Sequence, residues 1–222
     1  MTSLTVENYL KTIYHICNRA SGGPASTGVL ATSLGVSPGT VTSMLKTLGE
    51  SGLATYTPYE GVRLTQQGTT LALRITRRHR LIELFLVQTL KMTWDEVHEE
   101  AEHMEHAVSD LLVDRIDAFL GHPKADPHGD PIPRADGSVD EAAGRQLAEC
   151  GPGEPFRFVR VLDQSPDFLR FLADSRLTIG VQGEVVTNRV ESGALTVAVD
   201  GRTITLGHDA AQKILVVAES GS

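Results

Sequence analysis

The order of helical runs and turn residues in the first 65 positions constrains this chain more than any other feature. Leu4, Val6, Tyr9, Leu10, Ile13, Tyr14 and Cys17 recur at a helical period, and Ser21-Gly22-Gly23-Pro24 ends that run. A shorter helical pattern covers 27–34, with Val29, Leu30 and Leu34 apolar. Gly35-Val36 then makes a turn. Ser37 is an N-cap, and Pro38 takes the first helical position, where a missing N–H costs nothing. The third helix runs through Val41, Met44, Leu45 and Leu48 and stops near Gly52. Two alternating segments, 53–56 and 62–65, flank Pro58-Tyr59-Glu60-Gly61 as a hairpin. Helix, helix, tight turn, helix, hairpin is the order of a winged helix-turn-helix. The exposed face of the third helix offers Ser37, Pro38, Gly39, Thr40, Thr42, Ser43 and Lys46. Small hydroxyl residues admit close approach to base edges and phosphates, and Lys46 adds a cation.

A net charge of −8 argues against a nucleic-acid partner until the chain is divided. Residues 1–80 hold eight Lys/Arg against three Asp/Glu, a net +5; the rest holds twelve against twenty-five, a net −13. A basic module facing phosphate is thus joined to an acidic module with another task. Cys17 and Cys150 are too few and too far apart for a disulfide framework, so a reduced, cytoplasmic chain is expected. No apolar run is long enough to span a membrane, and the N-terminus lacks the basic and apolar regions of a signal peptide.

Beyond the hairpin, 66–90 reads as one long amphipathic helix and Trp94 to Leu120 as a second; together they offer a dimer interface. From Gly121 to Gly153 the chain is rich in Pro, Gly and Asp, a structured turn region or a linker. Short β-type runs follow at 156–162, 177–181, 184–189, 195–199, 203–206 and 214–218, the pattern of a small barrel. The expected organisation is multidomain, mainly α with β. It comprises a winged helix-turn-helix over 1–70, a helical region offering a dimer interface over 71–140, a linker over 141–153, and a small barrel over 154–222.

The segment from Val97 to His106 carries the chemistry. Val97, Ala101, Met104, Val108 and Leu111 form one apolar stripe on an ideal helix, with His98, Glu102, Glu105 and His106 on its flank. His and Glu at that spacing converge on a cation, and half-buried carboxylates need a partner. His79 and Glu83, four apart on the preceding helix, supply a second pair, whereas Glu99, Glu100 and His103 are a solvated face. A zincin would need His-Glu-x-x-His, but from His98 the chain reads His-Glu-Glu-Ala-Glu; no nucleophile triad or phosphate loop is legible either. A metallohydrolase would leave the basic half without a role, and a winged-helix protein answering to an organic effector would leave the His/Glu face idle. The expectation is that the chain is not an enzyme.

At these residues the chain resembles the diphtheria toxin repressor family, the DtxR/MntR-type metalloregulators, over essentially its whole length. The resemblance is carried by 8–14 (Asn-Tyr-Leu-Lys-Thr-Ile-Tyr), 36–42 (Val-Ser-Pro-Gly-Thr-Val-Thr), 78–83 (Arg-His-Arg-Leu-Ile-Glu), 97–102, 105–110 and 127–133 (Pro-His-Gly-Asp-Pro-Ile-Pro). It implies a cytoplasmic homodimer that binds operator DNA when loaded with a divalent metal and controls metal-uptake genes. It also implies that 71–140 is a helical dimerisation and metal-binding domain, that 154–222 is an SH3-like (FeoA-type) barrel, and that each subunit has two metal sites. One would use Glu102, Glu105, His106 and Asn8; the other would use His79, Glu83 and His98, completed from the loop 163–167 by Gln164 and Asp167. Iron-responsive members carry Cys where Glu102 stands, and an all-oxygen-and-nitrogen shell suits Mn2+, with Fe2+ as the alternative. Manganese members place Asp at Asn8, and some place Glu at Lys11, so those two positions depart from the manganese pattern.

Overall fold

A computed structural model describes residues 3–19, 22–141 and 144–219. Ser21 of the expected first turn, and residues 142 and 143 of the expected linker, lie outside them. Two compact units emerge. One gathers residues up to His79 with 105–107 and 133–138; the other gathers 80–104, 108–132 and 139 onward. No helix among the described residues is long and apolar enough to cross a membrane.

In the first unit, α1 (Leu4–Arg19) buries Tyr9, Leu10 and Ile13 on one face. The Ser26 side chain accepts from Val29 N at the start of α2 (Thr27–Leu34), and Gly35 ends that helix at φ 64°, a left-handed conformation that glycine adopts without strain. Ser37 then caps α3 (Pro38–Glu50), accepting from Thr40 N. The hairpin is β1 (Ala54–Thr57) paired antiparallel with β2 (Gly61–Leu64), Tyr56 opposite Val62. The side chains of Leu30, Val41, Leu45, Leu48 and Val62 close one core with α1 and with Ala72 of α4 (Gln66–Leu90).

In the second unit, the C-terminal part of α4 buries Leu81 and Leu84 against Val113, Ile116 and Ile132, and Ile82 and Leu86 against Val97 and Ala101. The helix expected over 94–120 is two helices, α5 (Val97–Glu105) and α6 (Asp110–Phe119). Ser109 makes the break: its hydroxyl accepts from Leu112 N and starts α6 afresh. His106 therefore sits just past the end of α5 rather than one helical turn beyond Glu102.

A six-stranded antiparallel sheet completes this unit: β3 (Arg145–Gln146), β4 (Pro155–Val161), β5 (Gln182–Arg189), β6 (Ala194–Val199), β7 (Arg202–Gly207) and β8 (Ile214–Ala218), in the order β3-β8-β4-β5-β6-β7. Register shifts in β4 and β5 bend it around a core of Phe156, Phe158, Leu195, Val197 and Val216, the small SH3-like domain that the resemblance implies. Two expectations need correction. The described part of the linker 141–153 supplies β3 and buries Leu147, Ala148 and Cys150 in this core, because their apolar side chains have a sheet to cover. The run 177–181 is not a strand, and α7 (Pro166–Asp174) forms where only a loop was legible. A short α8 (His208–Ala211) precedes β8.

Candidate metal centre and nucleic-acid interface

Val41, Leu45 and Leu48 turn α3 inward, which leaves Ser37, Pro38, Gly39, Thr40, Ser43 and Lys46 exposed and Thr42 half-buried. Ser37 and Thr40 share a hydroxyl hydrogen bond of 2.8 Å, and Thr42 Oγ1 donates to the Pro38 carbonyl, so all three hydroxyls hold the first turn. The hairpin tip adds Tyr59, fully exposed at φ 69°, a position that residue type alone did not single out.

Behind this surface, the first unit collects a buried polar group. Glu105 is 0% exposed. Its Oε2 lies 2.6 Å from His79 Nδ1, and its Oε1 lies 2.7 Å from Lys11 Nζ on α1. Burial alone would raise this carboxyl; the hydrogen bond and charge of His79, then Lys11, hold it below the usual carboxylate range. The Glu105 backbone carbonyl also takes a 3.0 Å bond from Arg78. His106 Nδ1 stands 2.8 Å from Glu7 Oε2, and since a carboxylate only accepts, the proton is on Nδ1. Nε2 lies 3.3 Å from Glu105 Oε1 but has no hydrogen-bond partner. Asn8 Oδ1 is a second buried acceptor with none. An unpaired buried acceptor is costly, and a cation satisfies it.

The second unit holds another group around Glu83, which is buried on α4. His98 Nδ1 lies 3.3 Å from Glu83 Oε1, and His98 Nε2 lies 3.9 Å from Glu102 Oε1. Two residues not singled out as ligands join it. His128 Nδ1 stands 3.8 Å from Glu83 Oε2 and 4.0 Å from Asp126 Oδ1. Glu83, Asp126 and His128 each offer one ligand atom, all within 4.8 Å of one another, and all three are buried. His128 Nε2 is 2.7 Å from the Trp94 carbonyl, which only accepts, so Nε2 carries a proton and Nδ1 faces the two carboxylates without a hydrogen-bond partner. A backbone carbonyl holding one imidazole nitrogen while the other faces carboxylates is how metal-ligating histidines are oriented. Burial, Asp130 and Glu83 push Asp126 up to about 7 against Arg80 and His128. Burial would lower His128, but Glu83 and Asp126 raise it to about 8. The signal for this pair was the motif 127–133, whose turn is built on Asp126: Oδ1 accepts from the backbone of His128 and Asp130.

Of the remaining expected ligands, His79 and Gln164 carry other contacts as well, and Asp167 stands away from both groups. His79 lies one turn from Glu83 along α4, and its Nδ1 meets Glu105. Gln164 lines a cleft of about 740 Å³ with His98 and Glu102, but its amide nitrogen donates to Asp130. Asp167 is corrected outright: its side chain is 96% exposed and paired with Arg170, because Ser165-Pro166 starts α7 and turns Asp167 outward in its first turn. Cys17 and Cys150 are both free thiols and belong to neither group.

Known proteins align with these features. Residues 1–62 match the pattern of the iron dependent repressor N-terminal DNA binding domain, 65–134 that of the iron dependent repressor metal binding and dimerisation domain, and 145–218 the FeoA domain. The iron-dependent repressor IdeR of Mycobacterium tuberculosis is 29% identical over 225 residues, with 96% of each chain covered. The diphtheria toxin repressor of Corynebacterium diphtheriae is 28% identical, again with 96% of each covered. Among solved structures, a manganese-dependent transcriptional repressor in complex with manganese superposes with a TM-score of 0.84 at 43% identity, covering 96% of this chain and 100% of that one.

Proposed function

The chain belongs to the diphtheria toxin repressor family of metal-dependent transcriptional repressors, and we propose that manganese is the metal it answers to. The observation that carries this reading is the donor set. The ligand atoms that the two polar groups offer are carboxylate oxygens, imidazole nitrogens and one amide oxygen, with neither cysteine among them, and hard oxygen-rich shells suit Mn2+. The 43% identity to a manganese-dependent repressor supports the same assignment. Glu105 and His106 with Asn8 would hold one ion, with His79 beside them through Glu105. Glu83, His98, Asp126 and His128 would hold a second. The metal supplies a fixed positive charge that satisfies these acceptors together.

The chain's own residues do the rest. Ser37, Pro38, Gly39, Thr40, Thr42, Ser43 and Lys46 meet operator DNA, and Glu7 orients His106 so that Nε2 is free to ligate. α6 buries Val113 and Ile116 but exposes Leu111, Leu112 and Phe119, with Leu90 exposed at the end of α4; this apolar surface is the homodimer contact. Two copies of α3 then read two half-sites of an operator controlling metal-uptake genes.

The test is operator binding by the purified protein, followed by fluorescence anisotropy against Mn2+, Fe2+ and Zn2+ with a chelator control. Mn2+ should raise affinity by the coupling expected of such switches, roughly 5- to 150-fold, at concentrations where Fe2+ does not. An equal or stronger response to Fe2+ would assign this chain to the iron-responsive type, as the names of its curated relatives have it. Tight binding in the presence of chelator would sink the metal switch altogether.

A further inference from the structure

We infer that Lys11 is a built-in competitor for the metal, an ammonium that occupies Glu105 and sets how much metal is needed to load the site. This rests on the reading of Glu105 as a metal ligand. Glu105 is fully buried, and N–H donors meet both of its oxygens: Lys11 Nζ at 2.7 Å on Oε1 and His79 Nδ1 at 2.6 Å on Oε2. Lys11 is itself 8% exposed, so this is an interior ion pair rather than a surface contact.

A divalent ion taking Oε1 would meet the Lys11 ammonium 2.7 Å away, in a setting where water screens poorly. Imidazole can turn a lone pair toward a metal, but an ammonium has none. Lys11 must therefore withdraw along its flexible four-carbon stem before Glu105 is free to bind through that oxygen. Until then it neutralises a buried carboxylate and ties α1 to Glu105. The ammonium thus holds the metal-free form together and weakens the loaded one, which moves the response to a higher metal concentration.

The test is Mn2+ titration of the full chain, with free Mn2+ read from its electron paramagnetic resonance signal. Lys11→Met keeps the apolar stem and removes the charge, and should tighten the Glu105-dependent step by about tenfold, an order of magnitude in Kd. Lys11→Arg restores the charge and should stay near the native affinity. Lys11→Gln is the second neutral variant should Lys11→Met not fold, since its amide still donates to Glu105. Equal or weaker binding in the folded neutral variant, with Glu105→Gln still removing the step from the native chain, overturns the role of Lys11. If Glu105→Gln leaves native Mn2+ binding unchanged, the ligand assignment itself has failed, and this inference falls with it.

Discussion

Glu105 shows how a single buried carboxylate can serve both fold and function, and why the substitution used to test it matters. Replacing it with Ala would remove the buried carboxylate that Lys11 and His79 meet, and breaking a buried ion pair by deleting one partner costs roughly 3–5 kcal/mol. Glu105→Gln keeps the volume and one acceptor. We expect Glu105→Gln to remove metal-dependent operator binding with a far smaller loss in urea-induced unfolding of the metal-free protein than Glu105→Ala. Equal stability losses would mean that the Lys11 pair contributes nothing to the fold. Of these residues, Glu105 and His106 were legible because helical spacing aligns them, and Glu83 because it lies four after His79. Lys11 and Glu7 were not legible as partners, because contacts 94 and 99 residues away leave no local period to read. Asp126 and His128 sit in a turn, where no periodicity exists; only the Pro-His-Gly-Asp-Pro-Ile-Pro motif marked the place.

Secondary-structure elements were most legible where turn residues delimited them. Ser26, Gly35, Ser37 and Pro38 fix α2 and α3 at their expected bounds, since caps and αL glycines act through nearest neighbours. Continuous apolar periodicity hid the break at Ser109, because Met104, Val108 and Leu111 keep the stripe going across it while one hydroxyl stops the helix. A two-residue strand such as β3 carries too little pattern to recognise and exists only because β8 offers it an edge. The helix-break correction also sharpens the dimer prediction, since α6 is now a separate element. Leu112 and Phe119, seven residues apart, share a face that α6 does not bury. Leu112→Glu combined with Phe119→Glu should convert the dimer to monomer in sedimentation equilibrium while the circular dichroism spectrum is retained. A dimer that survives both charges would place the interface elsewhere.

At the scale of the molecule, the Glu83 group is where metal loading and stability meet. His128 belongs to the second unit in three ways: Nδ1 faces Glu83 and Asp126, its ring stacks on Trp94 at 6.2 Å, and its carbonyl accepts from Val161 N at the end of β4. Gly129 makes that approach feasible. At φ 85° it is left-handed, and a Cβ there would come within 2.0 Å of the Val159 carbonyl. Helices and sheet of this unit therefore converge on the same few atoms. In the metal-free chain, protons serve in place of the cation. Asp126 is raised from 3.8 to about 7 and His128 from 6.5 to about 8, so the folded form binds protons that the unfolded chain releases. Both shifts are upward, so the stabilisation is full below the unfolded values and disappears as pH rises through the folded ones. The metal-free protein should accordingly lose melting temperature between pH 6.5 and pH 8. A metal needs the carboxylate ionised and Nδ1 bare, so loading expels those protons and gains strength over the same interval. The rise in melting temperature caused by saturating Mn2+ should be larger at pH 8 than at pH 6.5, and Asp126→Asn with His128→Gln should flatten that difference. A Mn2+ shift independent of pH in the native chain, or the same slope in the double variant, would remove this group from the metal's account and leave Glu105 and His106 as the switch alone.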